Sequence, residues 1–159
     1  LPDSQALVTP VLGTPTSGTL TNCTGLPLAG LATSAKTEAI GIAGGDETTV
    51  LAVADGVTEF QLPYGFELTS VRATLTTAGT TSGVTTIDIE DDGTSIFATL
   101  LTIDATEKTS TSAATAFDFT ASASSLTLGD GSVMKINVDV LSAGATEAGL
   151  KIWLIGYQT

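Results

Sequence analysis

Apolar and polar residues alternate along several short stretches of this chain, and a period of two is the pattern of a half-buried strand. Met134, Ile136, Val138 and Val140 alternate with Lys135, Asn137 and Asp139. Thr85, Ile87 and Ile89 alternate with Thr86, Asp88 and Glu90, and Val71, Ala73 and Leu75 with Arg72, Thr74 and Thr76. Turn residues punctuate these stretches: Gly44-Gly45-Asp46, Ala54-Asp55-Gly56, Pro63-Tyr64-Gly65, Thr81-Ser82-Gly83 and Gly129-Asp130-Gly131. Asp91-Asp92-Gly93 is the strongest of them, since Asp-Gly supplies the two positive φ values of a primed hairpin turn. The spacing predicts strands over Ala39–Ala43, Thr48–Val53, Val57–Leu62, Leu68–Thr77, Thr85–Glu90, Thr94–Ile103, Ala116–Thr120, Leu126–Leu128, Met134–Val140 and Leu150–Tyr157. Thr106–Ala114 and Ser142–Gly149 read as loops. Short strands at regular intervals, with no helical stretch between them, predict an all-β chain: an antiparallel β-sandwich or jelly roll.

The first part of the chain is built differently. Pro2, Pro10 and Pro15 each remove a backbone donor and push the preceding residue into extended geometry. Leu7, Val8, Val11, Leu12, Leu20, Leu26 and Leu28 are apolar without a helical period. Residues 1–36 therefore read as an extended N-terminal arm, its apolar side chains suited to lying along a partner, and residues 37–159 as the β domain. Ala32 to Ala35 can turn once as a short helix or act as a hinge.

Composition excludes several functions. The chain has 17 acidic and 5 basic residues, a net charge of −12 and no histidine. A nucleic-acid surface needs clustered Lys and Arg, whereas Lys36, Arg72, Lys108, Lys135 and Lys151 are widely spaced. An anionic membrane surface is disfavoured for the same reason. No apolar run reaches transmembrane length, and the start lacks the basic and apolar regions of a signal peptide. Without histidine there is no His-based triad, acid–base pair or metal site. Cys23 is the only cysteine, so it can form no intrachain disulfide, and it reads as an inert thiol. Asn22-Cys23-Thr24 fits a glycosylation sequon and reads as a chance match in a Thr-rich arm. Charged residues are only 14% of the chain, so much of the surface must be Thr, Ser, Gly and Ala, or be covered by partners.

Three constellations carry potential chemistry. The order Asp88-x-Glu90-x-Asp92-Gly93 matches the start of a calcium loop, but its twelfth position is Thr99, where a bidentate Glu is required. A solvated hairpin tip is the expected reading, with a calcium site left open. Asp88 with Asp139 could form a paired-carboxylate site for glycoside hydrolysis; an ordinary solvated strand face is expected instead. Trp153, Ile155 and Tyr157 lie opposite Leu150, Ile152 and Leu154 on the last strand, so they are either core or an oligomer contact. No catalytic residue set, cofactor site or metal-ligand set is expected, and the chain does not read as an enzyme.

The stretch Leu12-Gly13-Thr14-Pro15-Thr16-Ser17-Gly18-Thr19-Leu20-Thr21-Asn22-Cys23-Thr24-Gly25 resembles one that recurs in tailed-bacteriophage virion proteins. Leu62 to Ala73, Asp92 to Phe97, Leu101 to Ala105 and Ala148 to Tyr157 are similar to a β module of phage head-decoration and tail-fibre proteins. The family places basic or amide residues before its Asp-Gly turn, whereas this chain has Glu90-Asp91-Asp92. The resemblance implies a structural protein on the outer surface of the virion, with no catalytic residues. Together with the short chain, the apolar arm and the acidic body, it leads to the expectation of a homotrimeric capsid decoration (cement) protein whose arm binds the major capsid protein. The alternative is a trimeric tail- or head-fibre module that binds a host-surface glycan. Such a module would need aromatic residues at loop tips, for which Tyr64 is the candidate.

Overall fold

The computed structural model describes residues 31–159. The arm residues Leu7, Val8, Val11, Leu12, Leu20, Leu26 and Leu28, together with Cys23, lie outside the described residues. A single helical turn, α1 (Thr33–Lys36), leads directly into β1 (Thr37–Ala43). Ten more strands follow: β2 (Ala54–Gln61), β3 (Phe66–Thr74), β4 (Val84–Asp91), β5 (Thr94–Ser95), β6 (Phe97–Thr99), β7 (Leu101–Asp104), β8 (Asp118–Phe119), β9 (Leu126–Leu128), β10 (Val133–Val140) and β11 (Lys151–Gln158).

The strands form an antiparallel sandwich. One sheet has the order β1-β11-β3-β9; the other runs β2-β10-β4, with β5 and β7 both on the far side of β4. The pairing is nested: β1 pairs β11, β2 pairs β10, β3 pairs β9 and β4 pairs β5 and β7. Successive long strands cross from one sheet to the other, and the second half of the chain folds back along the first. That is jelly-roll connectivity. The inward positions read from the alternation meet in one core. Ile87, Ile89, Met134, Ile136 and Val138 come from one sheet and Phe66, Leu68, Val71, Ala73, Ile152 and Leu154 from the other, all buried.

Three strand assignments and one turn need correction. Thr48–Val53 is not a strand: it crosses between the sheets, so its β-prone residues have no ladder to join. Only Val50 bridges, to Ala148, while Val50 and Val53 are exposed. Ala54-Asp55-Gly56 is the start of β2 rather than a turn, bulged against β10 where the register slips between Ile136 and Val138. Thr94–Ile103 is three strands. After Ser95 the chain leaves β4, so that β6 can pair with β8, and returns at Leu101 opposite Ile87. The excursion is held by aromatic packing: the Phe97 ring lies 5.5 Å from Phe117 and 6.1 Å from Phe119, which are themselves 5.3 Å apart. The predicted strand over Ala116–Thr120 shrinks to Asp118–Phe119 for the same reason.

The Asp-Gly hairpin forms as predicted. Asp91 pairs with Thr94 across a two-residue turn in which Asp92 has φ 48° and Gly93 has φ 81°. A methyl group on Gly93 would meet nothing within 4 Å. On Gly156, at the bulge between β11 and β3, it would lie 2.0 Å from the Glu67 carbonyl oxygen. Gly93→Ala should therefore cost only the backbone preference, about 1 kcal/mol. Gly156→Ala should cost about 3 kcal/mol or more, because backbone must move. Urea melts of the two variants check this order.

Candidate functional site

The two sheets present different outer faces, because each strand sends alternate residues outward. On the β2-β10-β4 sheet the outward residues are mainly acidic. Lys135 sits among them and bridges Asp55 at 2.7 Å and Glu90 at 2.8 Å, which holds its ammonium well above the ordinary lysine range, Asp55 contributing first. Asn137 donates to Glu90 at 3.0 Å and accepts from the Gly56 N–H at 2.7 Å, closing the β2 bulge. Asp88 accepts from the Ser95 hydroxyl at 2.6 Å and from the Ile89 N–H at 2.7 Å. Partial burial, then the charges of Asp88, Glu90 and Asp55, push Asp139 upward.

Strand alternation also separates the calcium-like residues. Asp88 and Glu90 face outward, Asp91 turns the other way, and Asp92 stands in the hairpin turn, where it accepts from the Val133 N–H at 3.0 Å. Among the described residues no group of three His, Cys, Asp or Glu side chains converges to hold a metal ion.

The outer face of the other sheet is apolar along β1 and much of β11, while Glu67, Arg72 and Thr74 face outward from β3 and Lys151 from β11. Ala39, Gly41 and Ala43 are exposed along β1. Beside them on β11, Trp153 is 39% exposed, and Ile155 and Tyr157 are half-buried. These three residues are on the sandwich exterior, so of the two readings left open by the sequence the core one fails. The six-membered ring of the indole leans over Gly41, where a methyl group would come within 2.7 Å of it. Tyr157 is capped by Lys36, whose ammonium lies 4.5 Å from the ring centroid. Tyr64, expected at an exposed tip, is half-buried instead, and burial followed by the Glu38 carboxylate raises its phenol.

A groove of about 370 Å³ opens next to Trp153, lined also by Ile155, Arg72, Thr74, Thr109 and Thr111. Arg72 lies opposite Trp153 in the β11–β3 register. The threonines come from a segment that continues the sheet along β3 beyond β9: Thr74 bridges Thr109, the Leu75 N–H donates to the Lys108 carbonyl at 2.9 Å, and the Ala73 N–H donates to the Ser110 hydroxyl at 2.9 Å. A second groove of about 300 Å³ shares Arg72 and Thr111 and runs on to Ser70 and Phe117. The sequence places Arg72 on an outward strand face but gives no sign of these grooves, because Thr109 and Thr111 sit in a stretch that reads only as a polar loop.

The loops at one end of the sandwich are tied by a buried carboxylate. Glu147, fully buried, accepts from the Thr85 hydroxyl at 2.8 Å, the Ser142 N–H at 3.0 Å, the Ser142 hydroxyl at 2.5 Å and the Thr146 N–H at 2.9 Å. Its own carbonyl accepts from Leu51 at 2.7 Å. Burial pushes this carboxyl up, but the Ser142 and Thr85 hydroxyls and the backbone N–H groups outweigh it and leave the group below its ordinary value of 4.5. The exterior pair Lys151–Glu47, at 2.5 Å, ties the β1–β2 connection to the start of β11.

The chain matches no family model, no curated protein and no solved structure.

Because the folded-state value of Glu147 lies below the unfolded one, its contribution to stability is full above the unfolded value and is lost as pH falls through the folded one. Glu147→Gln should lower stability at pH 7 by about 1–3 kcal/mol, since an amide nitrogen must face a donor where a carboxylate oxygen accepted. It should also flatten the loss of stability below about pH 4.5. Denaturant melts of both proteins between pH 7 and pH 3 measure the two effects.

Proposed function

We propose that the chain is a non-enzymatic structural protein of a tailed-bacteriophage virion: a capsid decoration protein that binds the major capsid protein through its N-terminal arm and stabilises the head. The observation that carries this reading is the way the arm joins the domain. Strand β1 begins at Thr37 on the outer edge of its sheet, and the buried hydrophobic side chains among the described residues run from Leu51 to Leu154. The described strands supply these core side chains, α1 leads into the sheet at its edge strand, and the sequence ahead of it is Pro-rich and bears Leu and Val. The jelly roll suits the role, since capsid and lectin domains use it, though a fold alone assigns no function. The acidic outer face of the β2-β10-β4 sheet is suited to face solvent and to repel nonspecific polyanions.

A protein that binds only the intact shell stabilises it by mass action. Apolar arm contacts are not screened by salt, whereas exposed ion pairs are. Particles carrying the protein should therefore release their genome at a higher temperature than stripped ones. The difference should persist near 1 M salt, where the screening length is about 3 Å. Re-adding the full chain should restore it, and a full chain carrying Leu26→Asp and Leu28→Asp should not. Equal release temperatures with and without the protein would defeat the cement reading.

A further inference from the structure

The grooves beside Trp153 have a chemistry of their own. Of the lysines, Lys135 and Lys151 are ion-paired, Lys36 caps Tyr157, and Lys108, though it has no ion pair among the described residues, lines neither groove. Arg72, the only arginine in the chain, is exposed and forms no ion pair or hydrogen bond among the described residues. In a chain with 17 acidic residues and 5 basic ones, an unpaired guanidinium on the least acidic face is the natural seat for an anion from outside. Its planar fork matches a carboxylate in two-point geometry. On one side of it lies the exposed indole of Trp153 and on the other the half-buried ring of Phe117, in adjoining grooves that share Arg72 and Thr111. The Thr74 hydroxyl has no partner among the described residues, and the Thr111 hydroxyl meets only that of Thr109, at 2.9 Å.

An aromatic platform, lining hydroxyls and one central cation in an open trough fit a ligand with apolar ring faces, many hydroxyls and a carboxylate. We infer that this trough binds an acidic oligosaccharide: a sugar ring stacks on Trp153, ring hydroxyls bond Thr74 and Thr111, and a uronate carboxylate pairs with Arg72. An apolar peptide would leave the guanidinium unpaired, and a polyphosphate would make no use of the indole. The inference is independent of any capsid role for the arm.

Trp153 is the only tryptophan, so its emission reports on the trough alone. The full chain is titrated with a hyaluronan hexasaccharide, with the neutral hexasaccharide of N-acetylglucosamine, and with hexaglutamate. The uronate-bearing sugar should shift the Trp153 emission saturably and bind roughly tenfold or more tighter than the neutral one, the value of a charge-assisted hydrogen-bonded contact. Arg72→Gln should remove that tenfold preference, with unchanged circular dichroism, and Arg72→Lys should restore part of it. Trp153→Ala, followed by calorimetry, should abolish binding of both sugars. The inference is overturned by the absence of a saturable shift up to millimolar sugar, by equal affinity in Arg72→Gln, or by hexaglutamate binding as tightly as the uronate, which would mark an acidic-peptide site. An emission that moves with protein concentration alone would overturn it as well, since a second copy would then occupy the trough.

Discussion

Everything in this fold depends on where the last two strands go. Strand β10 enters between β2 and β4, and β11 between β1 and β3. Without them β1 and β3 do not pair, and neither do β2 and β4. The two sheets are therefore completed by the C-terminal segment, through pairings such as Ile40 with Leu154 and Ile136 with Ile89 that join distant parts of the sequence. The loop-closure entropy of such pairings is lost before their contacts form, so folding should be slow and highly cooperative. Apolar burial supplies the return, because both central strands carry fully buried side chains on their inner faces: Met134, Ile136 and Val138 on one, Ile152 and Leu154 on the other.

The same placement determines the surface. The outward residues of β10 join those of β4 and β2 into an acidic strip organised by Lys135, while those of β11 join β1 and β3 into the face with Trp153 and Arg72. The sandwich thus separates its charge between two faces by strand parity alone. A one-residue slip of β11 against β3 would bury Trp153 and expose Leu154. The bulge at Ile155/Gly156 and the close approach of Gly156 to the Glu67 carbonyl pin that register. At one end of the sandwich Glu147 bonds Thr85 on β4 and Ser142 after β10, and its carbonyl receives the N–H of Leu51, so two connections and a strand share one buried anchor.

Much of this architecture was legible in the sequence, for a physical reason. Where a strand lies with one face on the core, alternation is compulsory, and the stretches around Val71, Ile87, Ile136 and Ile152 show it. The Asp92-Gly93 turn was legible because two successive positive φ values leave few residue choices. Stretches read as strands from β-prone residues between turn signals, without clean alternation, misled. Thr48–Val53, with four apolar residues in a row, crosses between sheets, and Thr94–Ile103, with adjacent apolar pairs, is broken by an excursion held by three phenylalanine rings. The trough was illegible for another reason. Arg72, Thr111 and Trp153 come from three separate segments, and only the β11–β3 register and the docking of Ser110 on Ala73 bring them together. Of the segment 1–36, whose Pro-rich apolar sequence sets it apart, residues 1–30 lie outside the described residues.

Native-state hydrogen exchange tests the dependence on the last two strands most directly. Amides of β10 and β11 should be the slowest in the protein and exchange with the same opening free energy as those of β3 and β4, because none of the four can pair fully without the others. Exchange of β11 through a lower-energy opening, with β3 and β4 still protected, would show that the sandwich stands without its closing strand and would contradict the account.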